Sequence, residues 1–139
     1  MDTTETTKAV LQRYHDELWV NKNTAVLAEL VDDGFTDDTR SDFSAPGPEY
    51  AKGFFDALFT AFPDLESVQE QLVAEGDLAA IRWTLTGTMT GPLFGYQPTG
   101  KRFKVTGIDL LQVRDGRITR DWGGMADQLP KVFQQLGLS

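Results

Sequence analysis

The side chains in this 139-residue chain best suited to acid–base chemistry are two aspartates, one tyrosine and one histidine. Asp127 follows Trp122-Gly123-Gly124 and precedes Leu129 and Phe133. Carboxylates walled by Trp, Phe and Leu side chains hold a proton more tightly than those in water, which makes them better bases near neutrality. A base positioned in this way is worth about 10²–10⁴-fold in rate. An Asp just before a short helix is also a favoured N-cap, and the two roles can overlap. Asp109 is a polar residue among Val105, Leu111 and Val113, on an otherwise apolar strand. It reads as a second acid, or as a substrate-orienting group facing a pocket. The other reading pairs it with Arg120 at a pocket rim, an interaction worth about 0–1 kcal/mol when exposed.

Tyr14 lies on the buried stripe of the first helical segment, where a phenol can hydrogen-bond a substrate carbonyl or a developing enolate, or simply pack. His15 is the single histidine, and imidazole is the side-chain type whose unperturbed pKa lies nearest neutrality. Being one position off that stripe, it reads as an edge residue that packs or faces solvent, with substrate contact as the alternative. Trp19, Phe35, Phe54, Leu58, Trp83 and Trp122 supply aromatic and aliphatic surface for a cavity, though such residues also make ordinary core.

These residues need a scaffold, and composition limits what it is. The chain is long enough for one real core, and its 40 % hydrophobic and 24 % charged content is an ordinary globular mixture. Without cysteine there are no disulfides or thiolate metal sites, and a single histidine rules out a multi-histidine zinc centre within one chain. A net charge of −8 disfavours nucleic acid and anionic membrane surfaces as partners. The acidity is concentrated at the front: residues 1–50 carry 11 acids against 4 bases, and residues 101–139 carry 4 against 7. The start, Met1-Asp2-Thr3-Thr4-Glu5, does not fit a secretion signal, and no apolar run approaches the roughly 20 residues of a membrane span. A cytoplasmic protein is the expectation.

No internal repeat or linker divides the chain, so one domain is expected over residues 1–139. The first half has helical spacing. Thr3 or Thr4 can cap a helix carrying Val10, Leu11, Tyr14 and Leu18, and Thr24 a short second helix through Leu27 and Leu30. Phe35 to Arg40 reads as a short strand, and Ser44-Ala45-Pro46-Gly47-Pro48 as a turn. Pro48 suits the first position of a third helix, whose stripe is Tyr50 or Ala51, Phe54, Phe55, Leu58 and Phe62, with Pro63 ending it. From Ser67 to Trp122 the period becomes two. Ile81, Trp83, Leu85 and Met89 alternate with Arg82, Thr84, Thr86 and Thr88, as in a sheet with one apolar face. Asp115-Gly116 is a strong two-residue hairpin signal. An unbroken register from it sets Arg114 against Arg117, Val113 against Ile118, Leu111 against Arg120 and Asp109 against Trp122. Gly123-Gly124 releases the chain into a short closing helix from Asp127 to Leu136. Helices followed by a bent sheet define an α+β domain.

Several segments together resemble the SnoaL-like polyketide cyclases. They are Glu17-Leu18-Trp19, Phe62-Pro63-Asp64-Leu65, Ala74-Glu75-Gly76-Asp77 and Arg82-Trp83-Thr84-Leu85-Thr86-Gly87-Thr88, followed by Thr90-Gly91, Pro98-Thr99-Gly100-Lys101, Asp115-Gly116-Arg117-Ile118, Trp122 and Gln135-Leu136-Gly137. The resemblance implies a cone-shaped domain of the nuclear transport factor 2 type, shared with ketosteroid isomerase. In it, N-terminal helices pack on a strongly curved antiparallel or mixed sheet around an apolar pocket, with a short C-terminal helix. It also implies aldol cyclisation or isomerisation of a small hydrophobic carbonyl ligand with no metal or organic cofactor, a homodimer, and Asp127 at the place of the family's catalytic aspartate. Where many members read Gly-Thr-His-Thr-Gly, this chain reads Gly87-Thr88-Met89-Thr90-Gly91, so a hydrogen-bonding ring is replaced by a flexible apolar side chain at a substrate-facing position. Epoxide hydrolysis and non-catalytic binding or assembly are the competing functions on this fold.

Overall fold

The computed structural model describes residues 2–37 and 47–138. The first helix, α1 (Thr3–Arg13), is capped by Asp2 rather than by Thr3 or Thr4. The Asp2 carboxylate accepts the Glu5 N–H at 2.8 Å. Thr4 and Thr7 instead hold the start of the helix to a distant turn. Thr4 Oγ1 accepts the Gly76 N–H at 2.8 Å, and Thr7 Oγ1 donates to the Gly76 carbonyl at 2.7 Å.

The helix then widens into a π-turn over Tyr14–Val20, closed by the Asn21 N–H on the Asp16 carbonyl. A π-turn fits an extra residue into each turn. Tyr14, His15 and Leu18 are therefore all buried, and Trp19 packs against the core beside them. His15 is 9 % exposed, so the expectation of an edge position, which assumed 3.6 residues per turn, is corrected.

A 3₁₀ turn at Thr24–Val26, with Asn23 rather than Thr24 at its cap position, runs into α2 (Leu27–Leu30). Strand β1 (Val31–Asp37) begins four residues before the expected Phe35 start, and the rest of the expected strand, Asp38 to Arg40, lies outside the described residues. Ser44-Ala45-Pro46 of the expected turn does so too. Helix α3 (Pro48–Ala61) starts on Pro48 as its spacing predicts.

Four strands complete the sheet: β2 (Glu66–Glu75), β3 (Leu78–Thr88), β4 (Arg102–Arg114) and β5 (Arg117–Gly123). Their order is β1-β5-β4-β3-β2, with β1 parallel to β5 and every other pair antiparallel. This mixed sheet curls without closing, and the helices cover its inner face. Helix α4 (Met125–Leu136) packs back against β4. The β3 alternation holds: Ile81, Trp83 and Leu85 are buried while Arg82 is exposed. Leu11, Leu18, Leu58, Phe62 and Phe103 are at most 1 % exposed. Each such burial contributes about 1.5–3 kcal/mol.

The Asp115-Gly116 hairpin forms, with φ of +52° and +76° at the two turn residues. Arg114 opposes Arg117 and Val113 opposes Ile118, and then the register slips. Thr119 is the extra residue of a bulge, its hydroxyl bonded to the Gln112 carbonyl at 3.2 Å and to Gln112 Oε1 at 3.0 Å. Beyond it Leu111 faces Asp121 and Asp109 faces Gly123, which corrects the expected pairing with Arg120 and Trp122. Trp122 opposes exposed Leu110 on the outer face, where the Arg120 guanidinium lies 4.9 Å from the indole centre. Asp121 is turned inward in its place.

Candidate active site

A cavity lies between the helices and the inner face of the sheet. The π-turn contributes Tyr14 and Trp19, and β1 contributes Val31 and Phe35. From α3 come Tyr50, Ala51, Phe54 and Phe55, and from β4 and β5 come Asp109, Leu111, Ile118, Asp121 and Gly123. Its empty volume is about 640 Å³ out to the mouth, but only about 50 Å³ can hold the centre of a water-sized sphere. The wall is mainly apolar. Trp19 meets Phe55 edge to face at 4.9 Å between ring centres, and Phe54 meets Phe55 at 5.4 Å. Such a wall suits a small hydrophobic ligand held by a few polar groups.

Asp109 is one of those polar groups, and its surroundings fix its direction. Its Oδ2 accepts the Trp83 indole N–H at 2.8 Å, from the neighbouring strand. Its Oδ1 lies against Gly124, where an added Cβ would come within 1.8 Å of the oxygen. Gly124 also has φ +79°, so a side chain there would be strained as well as obstructed. Trp83 in turn fits because Gly107 has no Cβ, which would stand 2.6 Å from the indole ring. The carboxylate is thus oriented by the Trp83 donor and by the room that Gly124 leaves.

Tyr14, Trp19, Phe35, Phe54 and Asp109 come together in this cavity. His15 and Trp83 line a smaller adjoining chamber with Ser67, and Tyr14, Trp19 and Asp109 border both spaces. Leu58 and Met89 are fully buried in the core, outside both linings. Trp122 stands on the outer face of the sheet. Arg120 and Asp109 lie on opposite faces by the observed register. Asp127 is exposed in the first turn of α4, its Oδ2 3.4 Å from where a Gly123 Cβ would stand. The N-cap position is Gly124, so Asp127 acts on the helix end through its charge rather than as the cap.

Asp121 and Tyr50 are the lining residues that sequence reasoning missed or left undecided. Asp121 Oδ1 is fully buried. In an unbroken hairpin Asp121 points outward, and no local signal marks Thr119 as the bulge. Tyr50 was one of two options for the α3 stripe, and the cavity takes both Tyr50 and Ala51. Among the described residues, no three His, Cys, Asp or Glu side chains group as metal ligands, and no helix is long and apolar enough to cross a membrane.

Helices laid over a curled mixed sheet around an apolar cavity define a cone-shaped domain of the nuclear transport factor 2-like class. The chain belongs to the SnoaL-like polyketide cyclase family, whose sequence pattern matches residues 9–136. A Jannaschia sp. CCS1 protein provisionally assigned as a SnoaL-like polyketide cyclase has a similar crystal structure, with 27 % identity and a TM-score of 0.86 over 100 % of this chain and 96 % of that one. A Bacillus cereus ATCC 10987 protein provisionally assigned as a polyketide cyclase is 28 % identical, with a TM-score of 0.77 over 96 % of this chain and 81 % of its own. TsrD from Streptomyces laurentii shares the fold at 23 % identity, with a TM-score of 0.82 and 97 % of each chain covered. No curated protein sequence matches the chain.

Proposed function

We propose that this protein is a cofactor-independent acid–base enzyme that removes a proton beside the carbonyl of a small hydrophobic compound, for aldol cyclisation or isomerisation. The observation that carries the proposal is the Asp109 carboxylate, oriented by Trp83 within an aromatic cavity. In this reading Asp109 is the base. Tyr14, which lines the same cavity from the helical side, donates its phenol proton to the developing enolate oxygen, where charge builds up in the transition state. Asp121 supplies a second acid for the hydroxyl or carbonyl at the other end of the ligand. The exposure of Asp127 favours Asp109 over it as the base. The test is solvent-deuterium incorporation at the α-carbon of 2-tetralone, followed by proton NMR. Catalysed exchange supports the reading.

A non-catalytic binding module is the second reading. It is favoured by the small deep volume of the cavity and by the fully buried Met89 where many relatives carry histidine. Thermal stabilisation by 2-tetralone and related ketones without any exchange would favour it over the enzyme.

We also propose a homodimer through the outer face of the sheet. Ile108 is 56 % and Leu110 40 % exposed there, next to Trp122. Apolar side chains grouped on a sheet surface are the usual centre of such an interface.

A further inference from the structure

The small chamber beside the cavity has a polar wall that proton abstraction by Asp109 leaves unused. His15 Nε2 lies 3.2 Å from Ser67 Oγ on β2, and Nδ1 lies 3.6 Å from Asp16 Oδ1. The imidazole is almost wholly buried, whereas the Asp16 side chain is 59 % exposed. The chamber offers about 10 Å³ for the centre of a water-sized sphere, which is room for a single water. Asp109 and Tyr14 border it and the main cavity alike. The ring therefore stands between a carboxylate that faces the cavity and one that faces solvent.

From this arrangement we propose that His15 and Ser67 form a proton relay joining Asp109 to solvent through Asp16. The proposal rests on Asp109 being the base. A carboxylate that has taken a proton inside an apolar cavity must lose it before it can act again. With the Nε2 lone pair toward Ser67, neutral His15 carries its proton on Nδ1, facing Asp16. The Asp109 carboxyl proton crosses the chamber on one water to Ser67 Oγ, as the Ser67 hydroxyl proton moves to Nε2. Nδ1 then gives its proton through a bridging water to the Asp16 carboxylate 3.6 Å away, which loses it to bulk solvent. Asp109 ends ionised and the ring ends neutral, in its other tautomer. Passage in reverse restores the first tautomer and returns a proton to Asp109.

Imidazole suits this role because it takes and gives protons near neutrality at two separate nitrogens. The charged groups around it are Asp16 from its own helix and Asp109 from β4. Ser67, Ile81, Trp83 and Leu85 on the other chamber walls are neutral. His15 and Ser67 are thus positioning residues that act through Asp109.

Because His15 is the only histidine, its imidazole nitrogens can be read without assignment in a ¹⁵N-labelled full-length chain. The proposal expects the Nδ1–H tautomer in the neutral ring and loss of that preference in Ser67→Ala. An unaltered tautomer in Ser67→Ala would overturn the relay. If Asp109→Asn does not fold, Ser67→Ala alone decides. In the 2-tetralone assay, Ser67→Ala should slow exchange about tenfold at unchanged KM, short of the 10²–10⁴-fold effect of a base. If Asp109→Asn stops exchange and Ser67→Ala leaves it untouched, the relay fails while the base assignment stands. If Asp109→Asn leaves exchange intact, the base assignment itself fails.

Discussion

Trp83 on β3 donates its indole N–H to the Asp109 carboxylate on β4 across 2.8 Å, and this bond sets the direction of an acid that faces the cavity. Trp83→Phe keeps most of the ring packing and removes the donor. A hydrogen bond to a charged group contributes about 1.5–3 kcal/mol, so the variant should unfold at lower urea with a loss of that size or less. Its turnover should fall further than its stability, since the carboxylate loses its orientation. Urea titration beside the 2-tetralone assay checks both.

The same carboxylate depends on Gly124. A Cβ there would come within 1.8 Å of Asp109 Oδ1, at φ +79°. Gly124→Ala should displace the carboxylate and cost about 1–3 kcal/mol in stability through strain and overpacking. Activity should drop with it. Full activity in Gly124→Ala would show that the position of Asp109 does not matter.

The acid limb of stability has an identifiable contributor outside the site. The Thr88 backbone N–H, 2.8 Å from Asp64 Oδ1, holds the Asp64 carboxyl below its ordinary value of 3.8. Because the folded value is the lower one, the stabilisation is present above the unfolded value and fades as pH falls through the folded value. Asp64→Ala should therefore melt below the wild type at neutral pH, and the gap should shrink in strong acid. The effect is small because Asp64 is exposed. Thermal melts across the acid range measure it.

Much of this fold was legible because its signals are local. The Pro48 helix start, the inward alternation of Ile81, Trp83 and Leu85, and the Asp115-Gly116 turn each follow from a residue's own backbone preference or from a period of two. The site was less legible because two one-residue departures decide it. The π-turn brings His15 inside, and the Thr119 bulge exchanges Trp122 for Asp121 on the inner face. Periodicity records neither, because it presumes 3.6 residues per helical turn and an unbroken alternation along each strand. Asp109 was found because it is a charge on an apolar strand, a signal that survives a slip in its partner strand.

The outer face gives a separate prediction. If Ile108 and Leu110 centre a dimer interface, Ile108→Lys should convert a dimeric elution volume to a monomeric one in size-exclusion chromatography. The fold should persist, because the side chain is already exposed. A wild-type protein that elutes as a monomer would contradict the proposed dimer.

The most direct measurement compares α-proton exchange of 2-tetralone by the wild type, Asp109→Asn and Asp127→Asn under one set of conditions. Asp109→Asn should lose about 10²–10⁴-fold, the usual worth of a positioned base, while Asp127→Asn keeps the wild-type rate. The reverse pattern, with Asp127→Asn inactive and Asp109→Asn unaffected, would contradict the assignment of Asp109 as the base.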